Sequence, residues 1–398
     1  LARGTIYRHS KKLQELLSWL SVLVEETFSG IRILKTYDFK QKAVKKFNKI
    51  AKKHSLLRRK LFLIQGLLLP FFIALIQASS ALTIYLFSLH FVSLSLQDFL
   101  TFIWLQTYLF LPVMMLGWIL SLYEQGKSAY DRLLELYNEP FDVKDKGPRL
   151  SVQGPIDIEL KQLTFTYPAS QTPTLKNISL TIKDCQSIGI TGPVGSGKST
   201  LLKLLQREYE IPEGMIFLAG KEIHEYALST VYSLMATCEQ IPFLFSDTVM
   251  ENIRFGKDSA SLPEIAAVAE YVDLHDEIEG FSEKYDTIIG ERGLMVSTGQ
   301  KQRIAVARSL LASKNILLLD DIFANVDSSK ENKMINKLIN EFIGSTIIIV
   351  TNKMTVLDRL DTVFVLQNGA VIEQGNPAFL KKAQGPYQAL YELQTPDK

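Results

Sequence analysis

The sequence predicts an α-helical membrane segment followed by an α/β phosphate-loop domain. Three observations predict it. Between residues 61 and 123 a single charged side chain, Asp98, interrupts an otherwise charge-free stretch. From Pro155 onward, short strand-like apolar runs alternate with helical periodicity. Gly192-Pro193-Val194-Gly195-Ser196-Gly197-Lys198-Ser199 is a complete G-x-x-x-x-G-K-[ST] loop, set between the apolar run Ser187–Thr191 and the helix-like run Thr200–Leu205.

The N-terminal part reads as helix. Leu13, Leu16, Leu17, Leu20, Val22 and Leu23 have helical apolar spacing, which breaks at Ser29-Gly30 and resumes over Val44–Leu57. Cytoplasmic helices are expected over residues 5–60. The charge-free runs Leu61–Gln97 and Phe99–Tyr123 follow, each longer than the roughly 20 residues needed to cross a bilayer as helix. Membrane helices are expected at about 61–92 and 99–123, joined by a short hairpin at Ser93–Asp98. Pro70 and Pro112 lie inside them, where membrane helices tolerate kinks. Lys42, Lys45, Lys46, Lys49, Lys52, Lys53, Arg58, Arg59 and Lys60 crowd the approach to the first run, and Lys127 and Arg132 follow the second. The positive-inside tendency places both flanks in the cytoplasm. That accounts for the lysines without nucleic acid, and a net charge of +2 supplies no global field for such a partner. Cys185 and Cys238 are the only cysteines, far apart and without metal spacing, as a reducing compartment leads one to expect. The chain begins at Leu1, so a fragment or processed product is expected.

Asn138–Gly154, with Pro140, Gly147, Pro148 and Gly154, reads as a linker. Candidate strands then fall at Ile156–Phe165, Leu175–Ile182, Ser187–Thr191, Asn315–Leu319, Thr346–Val350 and Thr362–Leu366. The central ones are continuous apolar runs, as in a mostly parallel sheet. Asn368-Gly369 signals a hairpin into Ala370–Glu373.

The glycines of the loop let successive N–H groups turn toward a phosphate, and the following helix adds its positive end. Lys198 reaches β- and γ-phosphates, and the Ser199 hydroxyl ligates Mg²⁺. The domain is therefore expected to bind a nucleoside triphosphate. Asp320-Asp321 follows the apolar strand Ile316–Leu319. Asp320 is placed to hold Mg²⁺ and Asp321 to orient an attacking water.

Between these lies Val296-Ser297-Thr298-Gly299-Gln300-Lys301-Gln302-Arg303. With it the chain resembles an ATP-binding cassette exporter of the type in which membrane and nucleotide domains share one chain. The resemblance spans the whole length. It implies an ATPase domain at 155–398, with a helical subdomain at about 247–312, behind a membrane part at 1–137. Glu26–Phe39 resembles the coupling segment that docks on a nucleotide domain. Tyr167 matches the aromatic that stacks on adenine, and Gly192–Thr200 the phosphate loop. Gln240 in Gln240-Ile241-Pro242-Phe243-Leu244-Phe245 matches the glutamine that touches Mg²⁺ and the water. Thr287-Ile288-Ile289-Gly290-Glu291-Arg292-Gly293 resembles the loop before the signature. The resemblance implies ATP and Mg²⁺ as ligands and a second half-transporter as partner. Ser297, Thr298, Gly299 and Gln300 would face the partner's ATP. It also implies export of a hydrophobic or amphipathic substrate across the cell (inner or plasma) membrane. Such halves carry six membrane helices, so helices one to four, up to the extension of the fourth, are expected to be missing here.

Three positions depart from the family. The glutamate after the Mg²⁺ aspartate is Asp321, whose carboxylate is one methylene shorter. The switch histidine is Asn352, which hydrogen-bonds but carries no charge. The first signature glycine is Thr298, which fills space near a phosphate. The loop Ala324-Asn325-Val326-Asp327 is also off-pattern. Binding groups survive while hydrolysis groups change. This resembles the degenerate-site half of heterodimeric bacterial exporters. A slow homodimeric exporter and an ATP-gated regulatory half are the alternatives.

Overall fold

The structure is a computed structural model. It describes residues 2–89, 95–145, 147, 148, 152, 154–290, 293, 295–324, 326–342 and 344–394, with several helix side chains also left aside. The chain divides into two compact units, Leu1–Glu139 and Pro140–Lys398.

The first unit is all helix: α1 (Ala2–Ser29), the one-and-a-half-turn α2 (Ile31–Thr36), α3 (Lys40–Ser88) and α4 (Leu96–Tyr137). The break at Gly30 falls where the sequence places it. Only the short α2 follows it directly; the helix expected over Val44–Leu57 starts at Lys40 and runs unbroken through the lysine-rich stretch and Pro70. Pro112 likewise lies inside α4. Asp98 has a local cause. It sits in the first turn of α4, whose cap Ser95 accepts from the Asp98 N–H at 3.2 Å and donates to its carboxylate at 2.6 Å. A carboxylate there complements the positive helix end. Stacked rings of Phe87 and Phe99 (centroids 4.2 Å apart) and a hydrogen bond from Gln106 Nε2 to Ser79 Oγ (2.6 Å) pair α3 with α4 as an antiparallel hairpin. Residues 90–94, which include most of the expected turn, lie outside the described residues. Among the described residues no helix is long and apolar enough to cross a membrane. The crossings expected at 61–92 and 99–123 fall partly on positions outside that set.

The second unit is α/β. Its elements are β1 (Ile158–Phe165), β2 (Leu175–Ile182), β3 (Ser187–Thr191), α5 (Lys198–Leu205), β4 (Ile216–Leu218), β5 (Lys221–Glu222), α6 (Leu228–Leu234) and β6 (Met235–Cys238). After these come α7 (Val249–Arg254), α8 (Leu262–Tyr271), α9 (His275–Glu279), α10 (Thr298–Leu311), β7 (Ile316–Asp320), α11 (Ser328–Glu341) and β8 (Thr346–Val350). The chain closes with α12 (Met354–Leu357), β9 (Thr362–Gln367), β10 (Ala370–Gly375), α13 (Pro377–Leu380) and α14 (Pro386–Gln394).

One sheet is antiparallel, in the order β2-β1-β4-β5. The other runs β10-β9-β3-β8-β7-β6, parallel except for β10, which pairs antiparallel to β9 through the expected Asn368-Gly369 turn. The parallel strands are buried on both faces, hence their unbroken apolar runs. In β8, Ile348 and Val350 join the core shared with the antiparallel sheet and α5, while Ile347 and Ile349 join the core under the helical part. Each such fully buried side chain contributes roughly 1.5–3 kcal/mol.

The stretch before β1 is stitched to this unit. Arg207, 1% exposed, donates to Lys144 O (3.2 Å), Tyr226 O (3.1 Å) and Ile223 O (3.3 Å). Asp145 Oδ1 accepts from the Leu228 N–H at 2.9 Å. A side chain on Gly147 would stand 2.3 Å from the Tyr226 carbonyl carbon, so only glycine fits.

Candidate functional site

Four strands of the parallel sheet deliver their carboxyl ends to one edge. β3 ends at the phosphate loop, β7 at Asp320, β8 two residues before Asn352 and β6 two residues before Gln240. The register pairs Ile190 with Val350 and Asp320 with Val350, so these ends are level. Ligands of open α/β sheets bind at such an edge.

The loop is shaped by backbone. Gly192, Gly195 and Gly197 have φ of +143°, +80° and +101°. A Cβ on Gly192 would lie 2.0 Å from Leu366 O, and one on Gly197 2.5 Å from a Leu175 methyl. Lys198, at the start of α5, donates to Gly192 O (2.7 Å) and Pro193 O (2.9 Å), which places its ammonium across the mouth of the cradle. Burial lowers the Lys198 pKa, and Asp320 and Asp321 oppose that. Ser196 Oγ is buried inside the loop with no partner, a donor that a phosphate oxygen would satisfy. Pro193 and Val194 form the outer turn, and Val194 is exposed.

Asp320 is hydrogen-bonded by Ser199, and burial raises its carboxyl above the ordinary value while that bond opposes. Hydroxyl and carboxylate are thus side by side, a pair of hard oxygens suited to Mg²⁺. Gln240 Nε2 donates to Asp321 Oδ2 at 3.2 Å. Asp321 adopts a left-handed φ of +46°, which Asp tolerates better than most residues. Asn352 Oδ1 accepts from Thr191 Oγ1 (3.1 Å) and from the Gly192 N–H (3.3 Å), so its oxygen is turned toward the root of the loop. Gln394 clasps this turn, donating to Asn352 O (2.6 Å) and accepting from the Met354 N–H (3.2 Å).

Tyr167 stands beside the loop. Its hydroxyl is 3.0 Å from Thr200 Oγ1, and its ring meets Phe165 and Tyr209 edge-on at 5.1 Å each. Tyr209 is invisible to motif reading, since nothing near it in sequence marks it as an aromatic neighbour of the site.

The signature residues open α10. Ser297 caps it: its Oγ accepts from the Gln300 N–H (3.2 Å), and its own N–H donates to Gln300 Oε1 (2.9 Å). The Thr298 and Gly299 amides belong to the first turn, whose N–H groups have no intrahelical partner. Glu291, Arg292 and Asn325 lie outside the described residues. Sequence reading also missed Glu277, Lys330, Glu331 and Lys353, which the fold gathers around the signature helix and the switch turn.

A phosphate loop, a carboxylate at the end of the strand two places along the sheet, a signature helix and a preceding helical unit define an ATP-binding cassette protein with its membrane region on the same chain. The comparisons agree. Residues 175–324 match the ABC transporter family and residues 5–113 the ABC transporter transmembrane region. The chain is 32% identical to the multidrug resistance-like ATP-binding protein MdlA of Buchnera aphidicola subsp. Schizaphis graminum, over 98% of this chain and 68% of that one. It is 30% identical to the probable multidrug resistance ABC transporter ATP-binding/permease protein YheI of Bacillus subtilis, over 98% of this chain and 67% of that one. A solved bacterial Atm1-family ABC exporter with ATP bound superposes with a TM-score of 0.89 at 26% identity, over 99% of this chain and 69% of that chain. The chain belongs to the ABC exporters in which the transmembrane region is fused to the ATPase domain. It spans about two thirds of the length of these relatives.

Proposed function

We propose that this chain is the degenerate-site half of a heterodimeric ABC exporter. It binds Mg-ATP at its own loop, hydrolyses it slowly, and works with a second half-transporter to export a hydrophobic or amphipathic substrate across the cell membrane. The observation that carries this reading is the contrast within one site. The cradle of Gly192–Thr200 and the Ser199–Asp320 pair are complete, while Asp321 is short and Asn352 points its oxygen at the loop root. Displacing a reacting group by ~1 Å costs on the order of 100-fold in rate.

In this reading Lys198, Ser196 and the loop amides hold the phosphates, and Tyr167 contacts the base. Ser199, Asp320 and Gln240 hold Mg²⁺, which when bound neutralises phosphate charge. Asp321 orients water at a distance. Ser297, Thr298, Gly299 and Gln300 present the α10 N-terminus to the partner's nucleotide. Nucleotide-driven closure of the two domains would gate the membrane part.

The test is calorimetry of ATP binding to the chain and to Lys198→Ala. A lysine–phosphate contact contributes about 1.5–3 kcal/mol, so affinity should fall about 10- to 100-fold. Equal affinity with and without Lys198 would refute the assignment of the loop.

A further inference from the structure

Two clusters of ionic hydrogen bonds meet at adjacent residues in the first turn of α11, one reaching the signature helix and the other the switch turn. At one end is Glu277, on α9. It accepts from Arg303 Nη2 at 3.0 Å, with Nη1 of the same guanidinium in ion-pair range at 2.9 Å, from Gln300 Nε2 at 2.9 Å, and from Lys330 Nζ. Lys330 belongs to α11. The next residue, Glu331, lies about 100° around the same helix and so faces another neighbour. Its carboxylate is buried, the residue 2% exposed, and it receives Lys353 Nζ at 2.5 Å together with the Thr355 hydroxyl. Lys353 immediately follows Asn352. Its ammonium also donates to Phe323 O (2.7 Å) and Val326 O (3.5 Å). A lysine has three donors, and here all three are engaged.

Phe323 and Val326 bracket the loop between Asp321 and α11. One ammonium therefore holds both ends of that loop, the helix that follows it and the turn carrying Asn352. We propose that Lys353 is a positioning residue for hydrolysis: it fixes Phe323 and Val326 against Glu331 and so sets the backbone that carries Asp321 and Asn352. The Lys330–Glu277 pair extends this tie to the signature helix. Through it, the end of α10 offered to the partner's nucleotide and the switch turn of the chain's own site share one fixed point. Removing Lys353 leaves the buried Glu331 carboxylate without its compensating charge, which makes this end of the tie costly to break.

The activity arm of this inference rests on the ATP-site reading, but the structural arm does not. The experiment is hydrogen exchange on the full chain without nucleotide, comparing wild type with Lys353→Met, Glu331→Gln and Lys353→Arg. Losing an ionic hydrogen bond predicts that Lys353→Met speeds exchange in peptides covering Phe323–Glu331 by about 10-fold or more, with less than about a twofold change at 192–200. Glu331→Gln keeps the shape of the buried side chain and should give the same pattern. It therefore serves if Lys353→Met does not fold. Lys353→Arg should restore most of the protection. In steady-state ATP turnover, Lys353→Met should lower kcat by about 10-fold with KM within about twofold, since the phosphate cradle is untouched. Unchanged exchange over Phe323–Glu331 in both Lys353→Met and Glu331→Gln would overturn the tie. Slowed turnover through a raised KM alone would overturn the positioning role. A wild-type chain that fails to bind ATP would refute the proposed function and leave the exchange result standing.

Discussion

The phosphate cradle and the hydrolytic corner share one sheet edge but are held by different means. The cradle is made of backbone: positive φ at three glycines and a loop pressed against Leu366 O. The corner is made of side chains that reach: Gln240 to Asp321, Asn352 to Thr191 and Gly192, and Lys353 to three acceptors on two elements. A backbone-shaped site tolerates no Cβ at its closest approach. A site made of reaching side chains accepts Asp for Glu or Asn for His without disturbing the fold, and the change is felt in rate instead. On the proposed function, the departures from the family pattern in this chain's own site fall in the corner and not in the cradle.

The largest effects are expected within the cradle. Gly192→Ala places a Cβ 2.0 Å from Leu366 O at a φ of +143°. Strain and overpacking of this kind cost about 2–4 kcal/mol, so the variant should melt earlier and lose measurable ATP binding. Gly195→Ala, with φ +80° and nothing within 4 Å, should cost only about 1 kcal/mol. Thermal melts and calorimetry of the two variants check this. Equal effects would mean that the contact with Leu366 does not shape the loop.

A smaller effect is expected in the corner. On the proposed function, Asp321→Glu extends the carboxylate toward the attacking water, and Asn352→His supplies a charged phosphate contact. Each single change should raise turnover at this site several-fold, and the double change by more than the product, because groups acting on one transition state are non-additive. The measurement is ATP turnover in a complex whose other site is disabled. Wild-type turnover already at about 1–10 s⁻¹ there would mean the corner is not degenerate. Multiplicative effects would mean that Asp321 and Asn352 do not cooperate.

The smallest effect concerns acid. Burial opposes the charge on Glu277, but hydrogen bonds from Arg303, Lys330 and Gln300 outweigh it and hold its carboxyl down to about 2. A lowered carboxyl stabilises the fold above its ordinary range, and that stability is lost as pH falls through the folded value. Glu277→Gln should therefore melt below wild type at neutral pH, with the gap closing only as pH drops from the ordinary carboxylate range toward about 2. A gap that changes above that range would assign the titration to another group. Exchange at 192–200 should be indifferent to this substitution, since the hydrogen-bond partners of Glu277 lie on α10 and α11.

Much of this was legible in the sequence. Fully buried parallel strands read as unbroken apolar runs, so β3, β7 and β8 fall within a residue of where Ser187–Thr191, Asn315–Leu319 and Thr346–Val350 place them. The phosphate loop was legible because its glycines answer a local demand on φ. The tie through Glu277, Lys330, Glu331 and Lys353 was not, since its members lie up to 76 positions apart and no local rule links them. The direction in which Asn352 points was equally hidden, because it depends on which amide of the loop lies within reach. The sequence divides helix α3 into two pieces because the pattern changes at Lys60 from charged to apolar, although the helix continues across that change.

Arg207 decides where this protein can be cut or grafted. Proline and glycine content mark 138–154 as a tether, yet Lys144 O is one of the three acceptors of that guanidinium and Asp145 caps the Leu228 N–H. A chimera joined at Pro155 would take away a buried cation's acceptor and the glycine that lets the strap lie flat on Tyr226. A seam at Pro140 keeps both. The strap belongs to the module it leads into, and an exchange of ATPase modules between relatives should carry residues 140–148 along with it.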